Sequence, residues 1–247
     1  MQNNHLPAKL LAEFIGTFAF VFIGAGAAAV VGTGAGLNGI SAIAFAHGLT
    51  IMVFAFAYGG VSGAHFNPAV TVGVLAARAM TLGEAVGYII SQLVAGIAAA
   101  FLLRAVLGSV ATGLGRPELA QGVALGTTTL TITPAAGFVI EAVLAFFLVI
   151  VVLSTAVAGR AGNLAPLAIG MTVALNIMMA GPLTGADFNP AISLGPMVAT
   201  NNFTDVWLYM IAPIVGAIIA AAVHRALTVL SEERTTAAAG RAAEPAE

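Results

Sequence analysis

Two copies of the tripeptide Asn-Pro-Ala are the strongest indication of function in this sequence. Residues 63–73 read GAHFNPAVTVG and residues 185–195 read GADFNPAISLG, with seven of the eleven positions identical. Two copies in matching surroundings, 122 positions apart, indicate an internal repeat. The two boxes are Asn67-Pro68-Ala69 and Asn189-Pro190-Ala191.

Each box has the composition of a helix start. Asparagine at the N-cap satisfies a free backbone N–H, and proline at the first helical position has no N–H to satisfy. If inverted symmetry brings the two starts together, both positive helix ends, roughly +0.5 charge each, meet at one point. Two neutral amide donors there could orient one water oxygen, while a cation would be repelled.

The composition predicts that lipid surrounds these elements. The chain is 60% hydrophobic and 7% charged, with mean hydropathy +1.04, whereas soluble domains carry about 25% charged residues. At roughly 20 apolar residues per span, the 247 residues have room for six helices. The formal net charge of −2 gives no indication of nucleic-acid binding.

Six long apolar segments and two short ones can be marked along the chain. The short segments, about 68–77 and 190–199, each begin at an Asn-Pro-Ala and are too short to span. Three spans in each half make the halves inverted, and short interrupted segments at matching places indicate a midplane site. The long segments run roughly 10–31, 40–59, 83–106, 136–158, 164–180 and 206–227.

This organisation predicts a single channel domain over 1–230, with repeat one about 8–106 and repeat two about 134–228. The stretch 108–135 becomes an outer connecting loop. Residues 231–247 are polar and rich in alanine and glutamate, and we expect a disordered cytoplasmic tail there.

Positive charge predicts the orientation. Arg104 and Arg116 fall on the outer side. Six basic residues fall on the cytoplasmic side with both termini: Lys9, Arg78, Arg160, Arg225, Arg234 and Arg241. The excess of arginine over lysine, with abundant alanine and glycine, favours a bacterial chain. We therefore expect a multi-pass protein of the inner cell membrane.

The two boxes and their surroundings resemble the aquaporin and glycerol-facilitator family, the major intrinsic proteins. The resemblance covers about residues 8–228. It includes Ala12-Glu13-Phe14-Ile15-Gly16-Thr17, Ser91-Gln92, Gly195-Pro196 and Pro213-Ile214-Val215-Gly216. It implies an all-α membrane fold of six transmembrane helices, in a right-handed bundle with two re-entrant half-helices. It also implies one pore per chain, a homotetramer, and passage of water and small neutral solutes.

Family resemblance places a second constriction at His47, Ile177, Ala186 and Ile192. Ile192 is a departure, because most members carry arginine there. The set resembles that of some plant vacuolar-membrane aquaporins, which pass water with urea, ammonia or hydrogen peroxide. Ile192 supplies neither charge nor donor, so His47 becomes the main polar side chain of the ring. Ser193 and Tyr209 fit the water-channel subgroup.

Four other buried polar residues are expected to support the boxes rather than to react. Glu13 and Glu141 lie early in the first and fourth spans, at equivalent places, where they could fix loop N–H groups; the alternative is a proton relay. His65 is expected to tether the first re-entrant loop, and Gln92 has the same supporting role. Asp187 either bonds local backbone or makes the outer vestibule negative.

The sequence gives little support to other functional classes of membrane protein. An intramembrane enzyme would need a nucleophile with its base, or a metal cluster, and the chain has no cysteine and no His-Glu-x-x-His. The glycines at 34, 36 and 39 match a dinucleotide pattern, but they follow a span and not a strand. We therefore expect no catalytic residue, metal or cofactor. An ion-coupled transporter usually carries ionisable groups at the midplane, whereas the two boxes offer neutral asparagine amides there. A transporter is therefore the less favoured alternative, and a glycerol facilitator of the same fold remains an alternative.

Overall fold

The structure, a computed structural model, describes residues 5–35, 39–108 and 113–242. A small antiparallel hairpin of β1 (Val123–Leu125) and β2 (Thr128–Leu130) lies in the connection between the two halves. The α-helices are α1 (Leu6–Ala19), α2 (Gly26–Ala35), α3 (Ile40–Ser62), α4 (Pro68–Ala76), α5 (Leu82–Leu107), α6 (Pro134–Val152), α7 (Ala165–Thr184), α8 (Pro190–Thr200) and α9 (Val206–Ala242).

Within the described residues, six helical segments are long and apolar enough to cross a membrane, which confirms the six-span prediction. A π-helical turn at Phe20–Ala25 joins α1 to α2 in the first span, and a second π-helical turn at Leu153–Val157 ends the fourth. The spans are Leu6–Val31, Ile40–Ser62, Leu82–Leu107, Pro134–Val157, Gly162–Thr184 and Val206–Leu230.

The short helices α4 and α8 are the two half-helices, with nine and eleven residues. At 1.5 Å per residue they reach only about 14 and 17 Å. Each follows a long helix that ends at a glycine with positive φ, Gly63 after α3 (φ 87°) and Gly185 after α7 (φ 88°). This conformation favours glycine, and it turns the chain back into the bundle at matching points of the repeat.

The two repeats interlock through these half-helices. α8 packs on α5, the third span of the first repeat, and α4 packs on α9, the third span of the second repeat. One continuous apolar cluster includes buried residues of both halves, among them Val70, Val149 and Ile192. The halves therefore share one core and are not separate bundles.

The structure differs from the sequence expectations in two places, the C-terminal end of α9 and the loop that connects the two halves. α9 continues to Ala242, so the backbone of 231–242 is helical where we expected disorder; alanine, glutamate and arginine are strong helix formers and extend a helix already begun. Residues 243–247 of that tail lie outside the described residues, as do 36–38 of the glycine-rich stretch. The hairpin within 108–135 was not expected.

The close approach of α5 and α8 gives a first prediction. A methyl group added at Gly96 would overlap the Ala191 carbonyl oxygen of the second box, whereas one added at Gly83 of the same helix meets open space. We expect Gly96→Ala to lower the free energy of unfolding by about 1–3 kcal/mol, the usual cost of overpacking, and to lower water flux.

Gly83→Ala is the control, because it makes the same substitution in the same helix without the overlap. The measurement is thermal unfolding in detergent with water flux in vesicles. Equal melting temperatures for the two variants would contradict the packing assigned to α5 and α8.

Candidate functional site

The asparagine of each box caps its own half-helix, as the sequence predicted. Asn67 and Asn189 have extended backbones at φ −157° and −143°, and each is followed by proline at the first helical position. Asn67 Oδ1 accepts from the Ala69 N–H at 2.7 Å, and Asn189 Oδ1 accepts from the Ala191 N–H at 3.0 Å. The side-chain oxygens are therefore committed to the helix starts.

The amide nitrogens of the same two residues reach across to the opposite repeat. Asn67 Nδ2 donates to the Phe188 carbonyl at 3.1 Å, and Asn189 Nδ2 donates to the Phe66 carbonyl at 2.9 Å. The two half-helix N-termini therefore meet at one point. Each amide has two N–H groups, and the bond to the opposite repeat uses one of them.

Glu13 organises the loop that leads into the first box. One oxygen, Oε1, accepts from Ser62 Oγ at 2.7 Å and from the His65 N–H at 3.0 Å. The other, Oε2, accepts from the Phe66 N–H at 2.7 Å and from Gln92 Nε2 at 2.8 Å. Four donors on one carboxylate are the arrangement of a buried acceptor that holds loop N–H groups in place.

Glu141 occupies the equivalent place in the second repeat with fewer partners. Its Oε1 accepts from Thr184 Oγ1 at 2.5 Å and from the Asp187 N–H at 3.1 Å. Asp187 is buried rather than open to a vestibule, and its Oδ1 has no hydrogen-bond partner among the described residues. Within the described residues, that oxygen neither bonds the local backbone nor faces an open vestibule, the two roles that were expected for the Asp187 side chain.

His65 and Gln92 lie where support residues would lie. His65 Nδ1 is 3.1 Å from Thr71 Oγ1, and its ring meets the Tyr88 ring edge to face at 5.2 Å between centroids. Gln92 also donates to Thr71 Oγ1 at 3.0 Å. His65 therefore links the first re-entrant loop to α4 and α5, and Gln92 links α5 to α4 and to Glu13.

Two tyrosines at equivalent positions have a structural role that the sequence analysis did not predict. The Tyr88 hydroxyl donates to the Ser62 carbonyl and the Tyr209 hydroxyl to the Thr184 carbonyl, each at 2.7 Å. Both carbonyls lie at the ends of helices that precede the boxes, where backbone acceptors need partners. Aligning the third spans of the two halves on these tyrosines would have revealed the pair.

The four residues of the expected constriction are all buried. Ile177, Ala186 and Ile192 belong to the same apolar cluster. His47 Nδ1 is 2.8 Å from the Ile43 carbonyl, so that nitrogen carries the proton and Nε2 is left as an acceptor. The His47 ring packs edge on against Phe20, with centroids 5.5 Å apart, beside the π-helical turn of the first span.

A cavity of about 790 Å³ opens on the side of the bundle where Lys9 pairs with Glu84 at 2.8 Å. Its walls come from both repeats and include His65, Tyr88 and Val152. The cavity therefore reaches His65, two residues before the first box.

Comparisons with known proteins agree on the family. Residues 1–224 match the profile of the major intrinsic protein family. Aquaporin NIP6-1 of Arabidopsis thaliana is 37% identical over 232 residues, covering 94% of this chain and 72% of that protein. Nodulin-26 of Glycine max is 35% identical over 217 residues, covering 87% and 76%. This chain belongs to the major intrinsic protein family.

A solved structure shows the same fold at greater sequence distance. The aquaglyceroporin from Plasmodium falciparum superposes with a TM-score of 0.75 at 22% identity, over 87% of this chain and 94% of that one. The six spans, two re-entrant half-helices and inverted repeat are therefore the aquaporin fold. The chain is a passive membrane channel for water and small solutes, not an enzyme.

The expectation of a bacterial inner-membrane protein is wrong. It rested on the excess of arginine and on abundant alanine and glycine, whereas relatives that match most of the chain, among them Aquaporin NIP6-1 and Nodulin-26, are plant proteins. This composition does not identify the kind of organism, because the contacts that build the fold do not require it. A multi-pass position in a membrane remains, supported by the six apolar helices. The likeness of the constriction to vacuolar-membrane aquaporins stays a prediction.

The reciprocal asparagine bonds give a second prediction. Asn67→Ala removes the cap on Ala69 and leaves the Phe188 carbonyl without its donor, and Asn189→Ala does the same in the other direction. We expect each to lower the free energy of unfolding by about 1 kcal/mol for the cap and by a similar amount for the lost bond.

Because both bonds lie at one contact, the double variant should lose less than the sum of the single losses. Denaturant titrations of the two single variants and the double variant measure this, with Asn163→Ala, an exposed position, as control. Strict additivity would indicate that the two boxes do not support each other.

Proposed function

We propose that water passes in single file beside the two boxes, together with small neutral solutes such as urea, ammonia and hydrogen peroxide, while ions and protons are excluded. The observation that carries the proposal is the pair of reciprocal bonds from Asn67 to Phe188 and from Asn189 to Phe66. These bonds hold two half-helix N-termini at one level of the bilayer and leave one amide N–H of each asparagine for a passing molecule.

The exclusion of cations follows from electrostatics at that level. Each half-helix end carries a positive partial charge, and both ends lie within an apolar cluster where a cation would lose hydration. A water oxygen can accept from both amides, which turns its hydrogens away from the contact. Neutral molecules meet neither the positive potential nor the full cost of losing hydration.

The choice among neutral solutes is assigned to His47, Ile177, Ala186 and Ile192. His47 Nε2 is the one ring nitrogen there that is free to accept, since Nδ1 is bonded to Ile43. The other three side chains are apolar and offer neither donor nor charge. Such a ring favours small solutes that bring their own N–H or O–H donors, and it admits species wider than water.

We extend the proposal to assembly as a homotetramer in the lipid bilayer, as the family resemblance implies. Large apolar side chains are exposed on each of the six spans, for example Leu11, Phe56 and Val94 in the first half. These faces are suited to lipid or to a neighbouring copy of the chain.

The third prediction compares solutes in one preparation. Stopped-flow light scattering on vesicles containing the chain should give fast water shrinkage, re-swelling with urea and ammonia, and little re-swelling with glycerol. We expect Ile192→Arg to lower urea and ammonia flux about tenfold or more, which corresponds to a barrier raised by about 1.4 kcal/mol, because the longer arginine side chain narrows the ring.

Ile192→Leu is the control, since it keeps an apolar side chain of the same size. Unchanged urea and ammonia flux in Ile192→Arg would remove Ile192 from the constriction. Saturating flux coupled to an ion gradient in the unmodified chain would instead indicate a carrier.

The fourth prediction uses the absence of cysteine from the whole sequence. Low mercury should leave water flux of the unmodified chain unchanged, because no thiolate can bind it. Ala186→Cys should make the flux sensitive to mercury and recoverable with a thiol, whereas Leu49→Cys, on an exposed face of α3, should not. Mercury insensitivity of Ala186→Cys would contradict a pore-lining Ala186.

A further inference from the structure

Glu141 and Asp187 form a pair of buried carboxyl groups beside the second box. The Asp187 N–H donates to Glu141 Oε1 at 3.1 Å, Glu141 is 0% exposed and Asp187 is 6% exposed. Two negative charges in such a place within a bilayer are expensive unless something compensates them.

One oxygen of each carboxyl group in the pair lacks a donor. Glu141 Oε2 and Asp187 Oδ1 have no hydrogen-bond partner among the described residues. The Phe188 N–H lies near Glu141 without a hydrogen bond of acceptable geometry to Oε2. The single hydroxyl hydrogen of Ser193 is divided between Asp187 and the Asn189 carbonyl, which is 3.3 Å from Ser193 Oγ.

The first repeat provides an internal comparison. There Glu13 has four donors, and the position equivalent to Asp187 is His65, two residues before the asparagine of the box. Gln92, four residues after Tyr88, supplies one of those donors, but Pro213 stands four residues after Tyr209 and has no side-chain donor. The second repeat thus has an acid where the first has a histidine, and a proline where the first has an amide.

No cationic side chain makes up this deficit in the part of the chain that the structure describes. Neither carboxyl forms an ion pair or hydrogen bond with lysine, arginine or histidine there. Tyr209 gives its hydroxyl hydrogen to the Thr184 carbonyl. Besides the pair itself, the charged groups that act on Tyr209 are Asp205 and Glu118, and Glu118 is paired with Arg116.

We propose that Glu141 and Asp187 bind one proton between them. The proton comes from solvent, forms an O–H bond on one carboxyl oxygen and is donated to the other carboxyl, so the pair carries one negative charge in place of two. This supplies a donor where two acceptors have none. Calcium or magnesium would need about six oxygen ligands, more than the two unpartnered oxygens.

The site also bears on the pore, and this consequence rests on the proposed function. Asp187 directly follows Ala186 of the constriction. Loss of the bound proton to alkaline solvent places a second negative charge at that level and weakens the discrimination against cations. Potassium leak should therefore rise with pH while water flux continues.

Infrared difference spectroscopy of the full chain in lipid tests the proton directly. At neutral pH the unmodified chain should show the carbonyl stretch of a protonated carboxylic acid. Asp187→Asn and Glu141→Gln should each abolish that band, because the amide then donates to the remaining carboxylate. Asp205→Asn, which alters a nearby acid outside the pair, should keep it.

A spectrum of the unmodified chain without the band would overturn the proposal even if no variant folds, and so would a band that survives both pair substitutions. Potassium and water flux in vesicles of the same protein then decide the consequence for the pore. We expect the potassium leak to increase on moving from neutral to alkaline pH in the unmodified chain and to stay constant in Asp187→Asn. A potassium leak that does not depend on pH overturns only the proposed effect of the proton on the pore. Absent water flux overturns the channel proposal but not the infrared result.

Discussion

The constraint on which this structure depends is the satisfaction of backbone polar groups that have left helical geometry inside a bilayer. Hydrocarbon offers no partners, so an irregular segment survives only where protein supplies them. The two segments before α4 and α8 are of this kind, with left-handed residues at Phe66 and Ala186. Their N–H and carbonyl groups are bound by Glu13, by Glu141 and by the asparagine of the opposite box.

That constraint explains why the supporting residues come from distant parts of the sequence. Glu13, on α1, binds the loop that ends at Asn67, and Gln92, on α5, donates to Glu13. The same carbonyls that need donors, Phe66 and Phe188, are the ones that bring the boxes into contact. Structural support and the proposed pore therefore cannot be separated, because the groups that hold the loops also set the spacing of the half-helix ends.

Much of this arrangement could be predicted from sequence, because two signals in it are strong. Apolar runs of the right length predict the six spans, and the duplicated Asn-Pro-Ala predicts both half-helices with their caps. The partners of Asn67 and Asn189 could not be predicted, since backbone carbonyls leave no trace in residue type. The π-helical turns, the hairpin and the helical backbone beyond 230 depend on packing and continuity more than on pattern.

The two halves of the repeat also differ in a way that symmetry alone would hide. His65 and Gln92 give the first repeat a neutral ring and an amide, whereas the second has Asp187 and Pro213 at those places. In the first cluster both oxygens of Glu13 accept hydrogen bonds, whereas the second keeps two oxygens that have no donor among the described residues. An inverted repeat thus preserves the geometry of the half-helices while the chemistry beside each box diverges.

The most direct measurement is an experimental density map of the chain in lipid at a resolution that shows ordered water. The account predicts a continuous file of waters through the bundle, with one oxygen within hydrogen-bonding distance of both Asn67 Nδ2 and Asn189 Nδ2. Asparagine side chains that point away from each other, or apolar packing that closes the space beside them throughout the bilayer, would contradict it.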